Sequence, residues 1–169
     1  ITGEYYNNTF NNVGYQSAGA SAGSQVFGAY LYMWGGNSGT PATRVLTYRN
    51  NKISGFTSTG TNSQVNGIYT YYRYYGNTVN IYNNLIGNLT APQSTNPNAV
   101  NGIRLANYDP GDGGDLNTNI AYNTVYFGGT STGSGFGTSS FFLDNYTPGG
   151  TYTRVNNYGL NNNIFVNLS

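Results

Sequence analysis

Three aspartates, Asp109, Asp112 and Asp115, lie three residues apart in the segment YDPGDGGDLN at 108–117. Carboxylates at this spacing in a Gly-rich loop could converge on a calcium ion, and Asn117 or backbone carbonyls could complete the shell of oxygen ligands. The same Pro and Gly residues are also typical of a tight turn. The sequence is compatible with both interpretations, a calcium site and a plain turn.

Catalytic chemistry has few candidate residues in this chain. Five residues are acidic, and the two outside the aspartate loop are Glu4 and Asp144, neither with an evident partner carboxylate for glycoside hydrolysis. The chain has no His and no Cys, so it lacks the commonest general base and a thiolate nucleophile. A calcium-dependent lyase would need a base beside the aspartates, and the basic residue just upstream is Arg104. We expect no enzymatic activity and no cofactor other than calcium.

Aromatic residues form a second group of candidates, in GIYTYYRYYGN at 67–77 and AYLYMW at 29–34. Strand alternation places Tyr69, Tyr71 and Arg73 on one face, and the second segment adds Tyr30 and Tyr32. Such a face could stack on sugars or on another subunit. The tyrosines could equally stack on one another and shield the sheet. The candidate binding residues are Tyr69, Tyr71, Arg73, Tyr74 and Trp34.

A repeat organises the elements that must position these residues. Five segments share an Asn, one variable residue and an apolar residue: YYNNTFNNV, YRNNKISGF, IYNNLIGNL, AYNTVYFGG and GLNNNIFVNL. Their apolar positions, aligned as Phe10, Ile53, Ile86, Val125 and Ile164, are 43, 33, 39 and 39 residues apart. VNGIYTYY, VNGIRLAN and SSFFLDNY give a second column at Ile68, Ile103 and Phe141. The two columns keep the same phase along the chain.

The variable spacing favours a coil of short strands over a helical repeat. A helical repeat must keep its length to keep its phase, whereas stacked strands absorb insertions in their connecting loops. The connecting segments, such as TSTGTNSQ and TAPQSTNPNA, have the composition of loops, although a recognition role for 57–64 and 90–99 stays open. The sequence therefore predicts a single all-β domain, residues 1–169, of stacked parallel strands in about four to five rungs.

The recurring asparagine predicts a ladder. At the corner between two strands, Asn adopts the left-handed backbone conformation more readily than other residues except Gly. Stacked amides can also donate to and accept from one another along the column. The predicted ladder contains Asn8, Asn51, Asn84, Asn123 and Asn162.

The composition excludes several classes of partner. Only 7% of residues are charged and the net charge is +1, so the chain offers no basic surface for nucleic acid. It has no apolar run of eighteen residues, so we expect no membrane insertion. Its 25 Gly and 18 Tyr, with still more Asn, disfavour helices and suit turns and strands.

The segments IYNNLIGNLTAP, VNGIRL, AYNTVYF and LNNNIFVNLS resemble the right-handed parallel β-helix repeats of long, secreted bacterial surface proteins. The resemblance covers residues from about 5 to 168. It implies a right-handed parallel β-helix, secretion to the cell surface, and a role in adhesion or surface structure. The architecture is more distantly similar to pectate-lyase-like enzymes, which share the fold without these motifs.

The leading functional expectation comes from the repeat motifs at the two ends of the chain. ITGEYYNNTF enters a repeat motif at once and LNNNIFVNLS stops within one, so the terminal rungs could pair with neighbouring repeats or with other copies, head to tail. We expect a structural or adhesive protein that stacks into a surface filament. The alternative is a carbohydrate-binding module, or a noncatalytic relative of polysaccharide lyases, that binds surface glycans through its Tyr-rich face.

Overall fold

The structure is a computed structural model, and it describes residues 2–15, 24–33, 44–72, 77–108, 116–146 and 156–169. These residues form strands and connecting segments, with no helix among them. In chain order the strands are β1 Thr2–Tyr6, β2 Thr9–Asn11, β3 Gly14–Tyr15, β4 Gln25–Met33, β5 Val45–Arg49, β6 Lys52–Ser58, β7 Gln64–Tyr72, β8 Thr78–Tyr82, β9 Leu85–Thr90, β10 Val100–Tyr108, β11 Leu116–Ala121, β12 Thr124–Phe127, β13 Thr138–Tyr146, β14 Asn156–Asn161 and β15 Ile164–Asn167.

All strand pairs are parallel, and the strands build three sheets. Sheet 1 has the order β1-β5-β8-β11-β14, and sheet 2 has the order β15-β12-β9-β6-β2, with β3 also pairing with β6. Sheet 3 has the order β13-β10-β7-β4. The chain passes through sheets 1, 2 and 3 in turn. We call the strands of one such pass a rung. The predicted parallel β-solenoid is confirmed.

The rung count differs slightly from the prediction of four to five. Sheet 3 has four strands, each one turn of the coil after the last, which gives about three full turns. Sheets 1 and 2 extend one strand further, through β14 and β15.

Aligned apolar columns fill the interior of the coil. Ile53, Ile86 and Val125 superpose in sheet 2, and Ile68 and Ile103 superpose in sheet 3, all fully buried. Burying each such side chain contributes about 2 kcal/mol. The column that pairs Ile68, Ile103 and Phe141 confirms the predicted second register.

The VNGI motif has its Gly because two sheets approach closely there. A Cβ on Gly67 would lie 2.6 Å from both the backbone O of Gly102 and Cγ2 of Ile86. A Cβ on Gly102 would lie 2.3 Å from Cγ1 of Val125. The glycines of sheet 3 therefore make room for the apolar column of sheet 2.

The connecting loops stack as well as the strands. The hydroxyl of Ser94 donates to the backbone O of Ser63, and the hydroxyl of Ser131 donates to the backbone O of Ser94, both at 2.8 Å. The segments 59–63, 91–99 and 128–137 are thus held rung on rung, and the Ser and Thr in them bond to the neighbouring loop.

Candidate functional site: the asparagine ladder and the tyrosine platform

The corner between sheets 1 and 2 uses two adjacent columns of residues. The first column takes the left-handed backbone conformation, with φ from 50° to 58°, and contains Asn7, Asn50, Asn83, Tyr122 and Asn162. The second column carries the side-chain ladder, which we call the asparagine ladder: Asn8, Asn51, Asn84, Asn123 and Asn163. The prediction that a single column of asparagines both turns the corner and forms the ladder is wrong.

One predicted ladder member, Asn162, is therefore incorrect. Asn162 has φ 52° and turns the corner, while Asn163 accepts from Asn123. The predicted apolar column slips by the same residue, because Val125 pairs with Phe165 and Ile164 points outward as an exposed residue. Residues 161–163 are all Asn, so the sequence pattern fits a ladder that contains Asn162 as well as one that contains Asn163.

The asparagine ladder runs in one direction. Nδ2 of each Asn donates to Oδ1 of the Asn in the next rung, at 3.0, 3.1, 2.9 and 3.0 Å from Asn8 to Asn163. The same Oδ1 also accepts the backbone N–H of the donating Asn, at 3.0 Å in all four steps. Each step therefore joins two donors of one rung to one acceptor of the next.

The second proton of each Nδ2 is also bonded. In Asn8 it donates to the carbonyl of Tyr6 in the same rung. In the other four it donates to a sheet 1 carbonyl of the preceding rung: that of Tyr5 for Asn51, Tyr48 for Asn84, Ile81 for Asn123 and Ile120 for Asn163. Asn51, Asn84 and Asn123 are buried, so unpaired amides there would carry a large desolvation cost. These three buried amides are therefore fully paired inside an apolar coil.

The predicted tyrosines lie on the outer face of sheet 3. Tyr30 pairs in register with Tyr69, and Tyr32 with Tyr71, so the four form a block two strands wide, which we call the tyrosine platform. Ring centroids are 5.4 Å apart for Tyr30 and Tyr69 and 5.7 Å apart for Tyr32 and Tyr71, with nearly parallel planes. Tyr30 and Tyr32 stay 49% and 41% exposed. The platform combines mutual stacking with open aromatic surface.

An ion pair that the sequence analysis missed adjoins the platform. The Arg104 guanidinium donates from Nη2 to the Asp144 carboxylate and from Nη1 to Oε1 of Gln64 at 3.0 Å. It lies over the rings of Tyr69 and Phe142, 5.4 and 5.3 Å from their centroids. The guanidinium therefore forms its hydrogen bonds with the side chains of Asp144 and Gln64. Aligning VNGIRLAN with SSFFLDNY places Asp144 two residues along from the partner of Arg104, so the signal was present.

Burial raises the pKa of two tyrosines. The pKa of Tyr48, which is enclosed in the core, rises to about 12 because its phenolate would lose hydration. Burial also raises the pKa of Tyr69, while the nearby charge of Arg104 partly lowers it. Both phenols are neutral at physiological pH, so Tyr69 gives the tyrosine platform an uncharged hydrogen-bond donor.

Several predicted site residues lie outside the described residues: Arg73, Tyr74, Trp34, Asp109, Asp112 and Asp115. Within the described part of the chain, no group of three or more acidic residues is placed to hold a metal ion. The described ranges also contain no helix long and apolar enough to cross a membrane.

No known protein family, curated protein or solved structure matches this chain. Function is therefore inferred from the geometry of the asparagine ladder and the tyrosine platform.

Proposed function

We propose that this chain is an extracellular structural or adhesive building block whose rungs stack end to end with those of neighbouring copies into a surface filament. The observation that carries the proposal is the pattern of exposure along the columns. Ile81 and Ile120 are fully buried in the middle of sheet 1, whereas Tyr5 and Leu160, at either edge of the same column, are 57% and 44% exposed. Further rungs would bury both edges.

The edge strands support the same proposal through their backbone groups. In the described residues, β1 pairs with β5 and β14 pairs with β11, each along one side. The opposite sides present N–H and C=O groups in the spacing that a parallel strand requires. An edge of this kind pairs readily with another strand.

The polar composition favours an extracellular, noncatalytic role. Both described carboxylates are paired with arginines, Glu4 with Arg49 at 3.3 Å and Asp144 with Arg104. The remaining polar surface consists mainly of amides and hydroxyls, which stay uncharged over a wide pH range. Such a surface suits a scaffold whose packing must not depend on pH.

Sedimentation velocity and negative-stain electron microscopy of the purified chain test the filament. We expect the sedimentation coefficient to rise with concentration and the images to show rods one coil wide. A species that remains monomeric up to millimolar concentration contradicts the proposal.

A second function, glycan binding, is favoured by the exposed tyrosine platform. Four uncharged rings lie next to an ion pair that neutralises itself, which fits a neutral polysaccharide rather than an acidic one. Aromatic faces supply apolar surface for sugar rings and the phenol hydroxyls supply hydrogen bonds.

A glycan array carrying neutral and acidic polysaccharides separates this function from the filament. We expect Tyr32→Ala with Tyr71→Ala to weaken binding of neutral glycans at least tenfold. Tyr126→Ala is the matched control, because Tyr126 is exposed on β12, away from the platform. Equal binding by the platform variant and the control rules the platform out.

A further inference from the structure

The direction of the asparagine ladder fixes the polarity of the joint between copies. At every described step the donors belong to the earlier rung and the acceptor to the later one. A column with this polarity continues only if the next rung brings an Asn Oδ1. Two like ends cannot satisfy each other, because two Asn8 edges would bring acceptor to acceptor.

The first and last rungs of the described residues have complementary hydrogen-bonding groups for such a step. Oδ1 of Asn8 accepts from no other residue that the structure describes, whereas each other Oδ1 in the ladder accepts two hydrogen bonds. At the other edge, Nδ2 of Asn163 uses one proton for the carbonyl of Ile120. Its other proton and the backbone N–H face the position of a further rung.

We infer that a second copy of this chain docks with Asn8 on Asn163, so that the amide and backbone N–H of Asn163 donate to Oδ1 of Asn8 of that copy. This inference rests on the proposed function and adds its direction and register. The corner residues preceding each, Asn7 and Asn162, share the left-handed conformation with φ 57° and 52°, so both rungs present the same corner shape.

The strand registers on either side of this joint agree with one another. Continuing sheet 1 places Leu160 on Tyr5, the next step of the column through Ile120, Ile81 and Tyr48. Continuing sheet 2 places Phe165 on Phe10 and Ile164 on Thr9. The joint therefore buries exposed apolar residues of both edges against each other.

Charge does not oppose the joint. Residues 156–169 contain no charged side chain, and residues 2–15 contain one, Glu4, which pairs with Arg49. Among the described strands, the joint is formed by sheets 1 and 2, because the last strand of sheet 3, β13, lies one rung below β14 and β15.

Cysteine cross-linking tests the polarity, since the chain has no natural cysteine. Thr9→Cys and Ile164→Cys would lie on neighbouring parallel strands of the joint, at a separation that suits a disulfide. After oxidation with diamide, we expect a mixture of the two single variants to give mixed dimers. Either variant alone should stay monomeric under denaturing conditions. Dimers of Thr9→Cys with itself overturn the inferred polarity.

Sedimentation of Asn8→Leu tests the register separately. Removing the acceptor should weaken end-to-end association at least tenfold. The melting temperature of the isolated subunit should change little, because Asn8 is exposed and the backbone N–H of residue 8 still donates to Oδ1 of Asn51. The control is Asn83→Gly, an exposed corner residue in the middle of the stack. If the wild type assembles and Asn8→Leu assembles equally well, the joint is wrong but the filament stands. If the wild type does not assemble, both fail.

Discussion

Two columns of buried asparagines differ in how completely their hydrogen bonds are satisfied. In the asparagine ladder every buried amide donates and accepts on both sides, because Asn occupies all five stacked positions of the column. In sheet 3, Asn101 donates to Asn66 at 3.0 Å, but Phe27 and Ser139 occupy the flanking positions. Nδ2 of Asn66 and Oδ1 of Asn101 are consequently buried with no hydrogen-bond partner in the described structure.

The difference shows that an amide column stabilises the coil only as a continuous unit. A typical satisfied hydrogen bond contributes about 1 kcal/mol, whereas a buried unsatisfied group costs about 1 to 3 kcal/mol. A column two rungs long gains one bond between its amides and leaves two unpaired atoms. A column of five rungs has its unpaired groups only at its exposed ends.

The largest expected effect comes from breaking the continuous column in the middle. Asn84→Leu should lower the free energy of unfolding by about 3 kcal/mol, because the buried amide and backbone N–H of Asn51 lose their acceptor. Asn66→Leu should cost less, about 1 kcal/mol, because Nδ2 of Asn101 keeps the carbonyl of Asn98. Urea denaturation of both variants measures the difference.

The neighbouring residue supplies the control for this experiment. Asn83 is exposed and takes φ 50°, so Asn83→Gly keeps the corner conformation and should cost only a few tenths of a kcal/mol. Equal losses for Asn83→Gly and Asn84→Leu would mean that the corner, and not the ladder, provides the stability.

Tyr48 extends the comparison to a buried hydroxyl, because it has no described hydrogen-bond partner although it lies in the core. Its pKa of about 12 exceeds the ordinary value of 10, so above pH 10 the unfolded chain releases a proton that the folded chain keeps. The unfolded state then binds fewer protons, and stability falls as pH rises from 10 to 12, by about 1.4 kcal/mol per pH unit.

Tyr48→Phe should reduce this alkaline loss and stabilise the protein by about 1 kcal/mol at pH 7, since it removes the unpaired hydroxyl. Thermal melts of both proteins at pH 7, 10 and 11 give the two slopes. Identical slopes for the variant and the wild type would show that Tyr48 does not control the alkaline transition.

A smaller gain is expected at the corner, where Tyr122 replaces the Asn of the other rungs. Tyr122 is 61% exposed and has φ 58°, a conformation that a bulky side chain adopts only with strain. Tyr122→Asn should raise stability by about 1 kcal/mol. Tyr126→Asn, on the adjacent strand, should give no gain, and a gain there of the same size would point to a general effect of removing exposed tyrosines.

The smallest expected effect comes from lengthening the short column. Asn in place of Ser139 would bring a donor to Oδ1 of Asn101, with which residue 139 is in register. Ser139→Asn should therefore stabilise by about 0.5 to 1 kcal/mol. Chemical denaturation measures it against Ser139→Ala, which offers no donor and should show no gain.

The sequence predicts the solenoid because like residues recur in two columns that keep one phase. It predicts four of the five ladder residues for the same reason, and fails at Asn162 because a run of three asparagines hides the register. The pairing in that rung is set by the left-handed residue, and no local pattern shows which Asn takes that conformation. In the preceding rung the left-handed residue is Tyr122, so no Asn marks the corner there.

Other features depend on contacts that composition does not reveal. The sequence indicates polar loops at 57–64 and 90–99 and leaves a recognition role for them open. It does not show that their hydroxyls bond from rung to rung. The ion pair of Arg104 and Asp144 joins residues 40 apart in the sequence. The predicted register of Ile103 and Phe141 brings them near each other, but the contact itself depends on the side-chain geometry. The sequence predicts the aromatic face of the tyrosine platform, because strand alternation alone places Tyr69 and Tyr71 together.

Hydrogen exchange of the side-chain amides, followed by NMR, tests the stacked ladder most directly. We expect the Nδ2 protons of Asn51, Asn84 and Asn123 to exchange many times more slowly than those of exposed amides such as Asn83 and Asn162. Rapid exchange at all five positions would mean that these amides do not pair from rung to rung, and would contradict the ladder and the joint inferred from it.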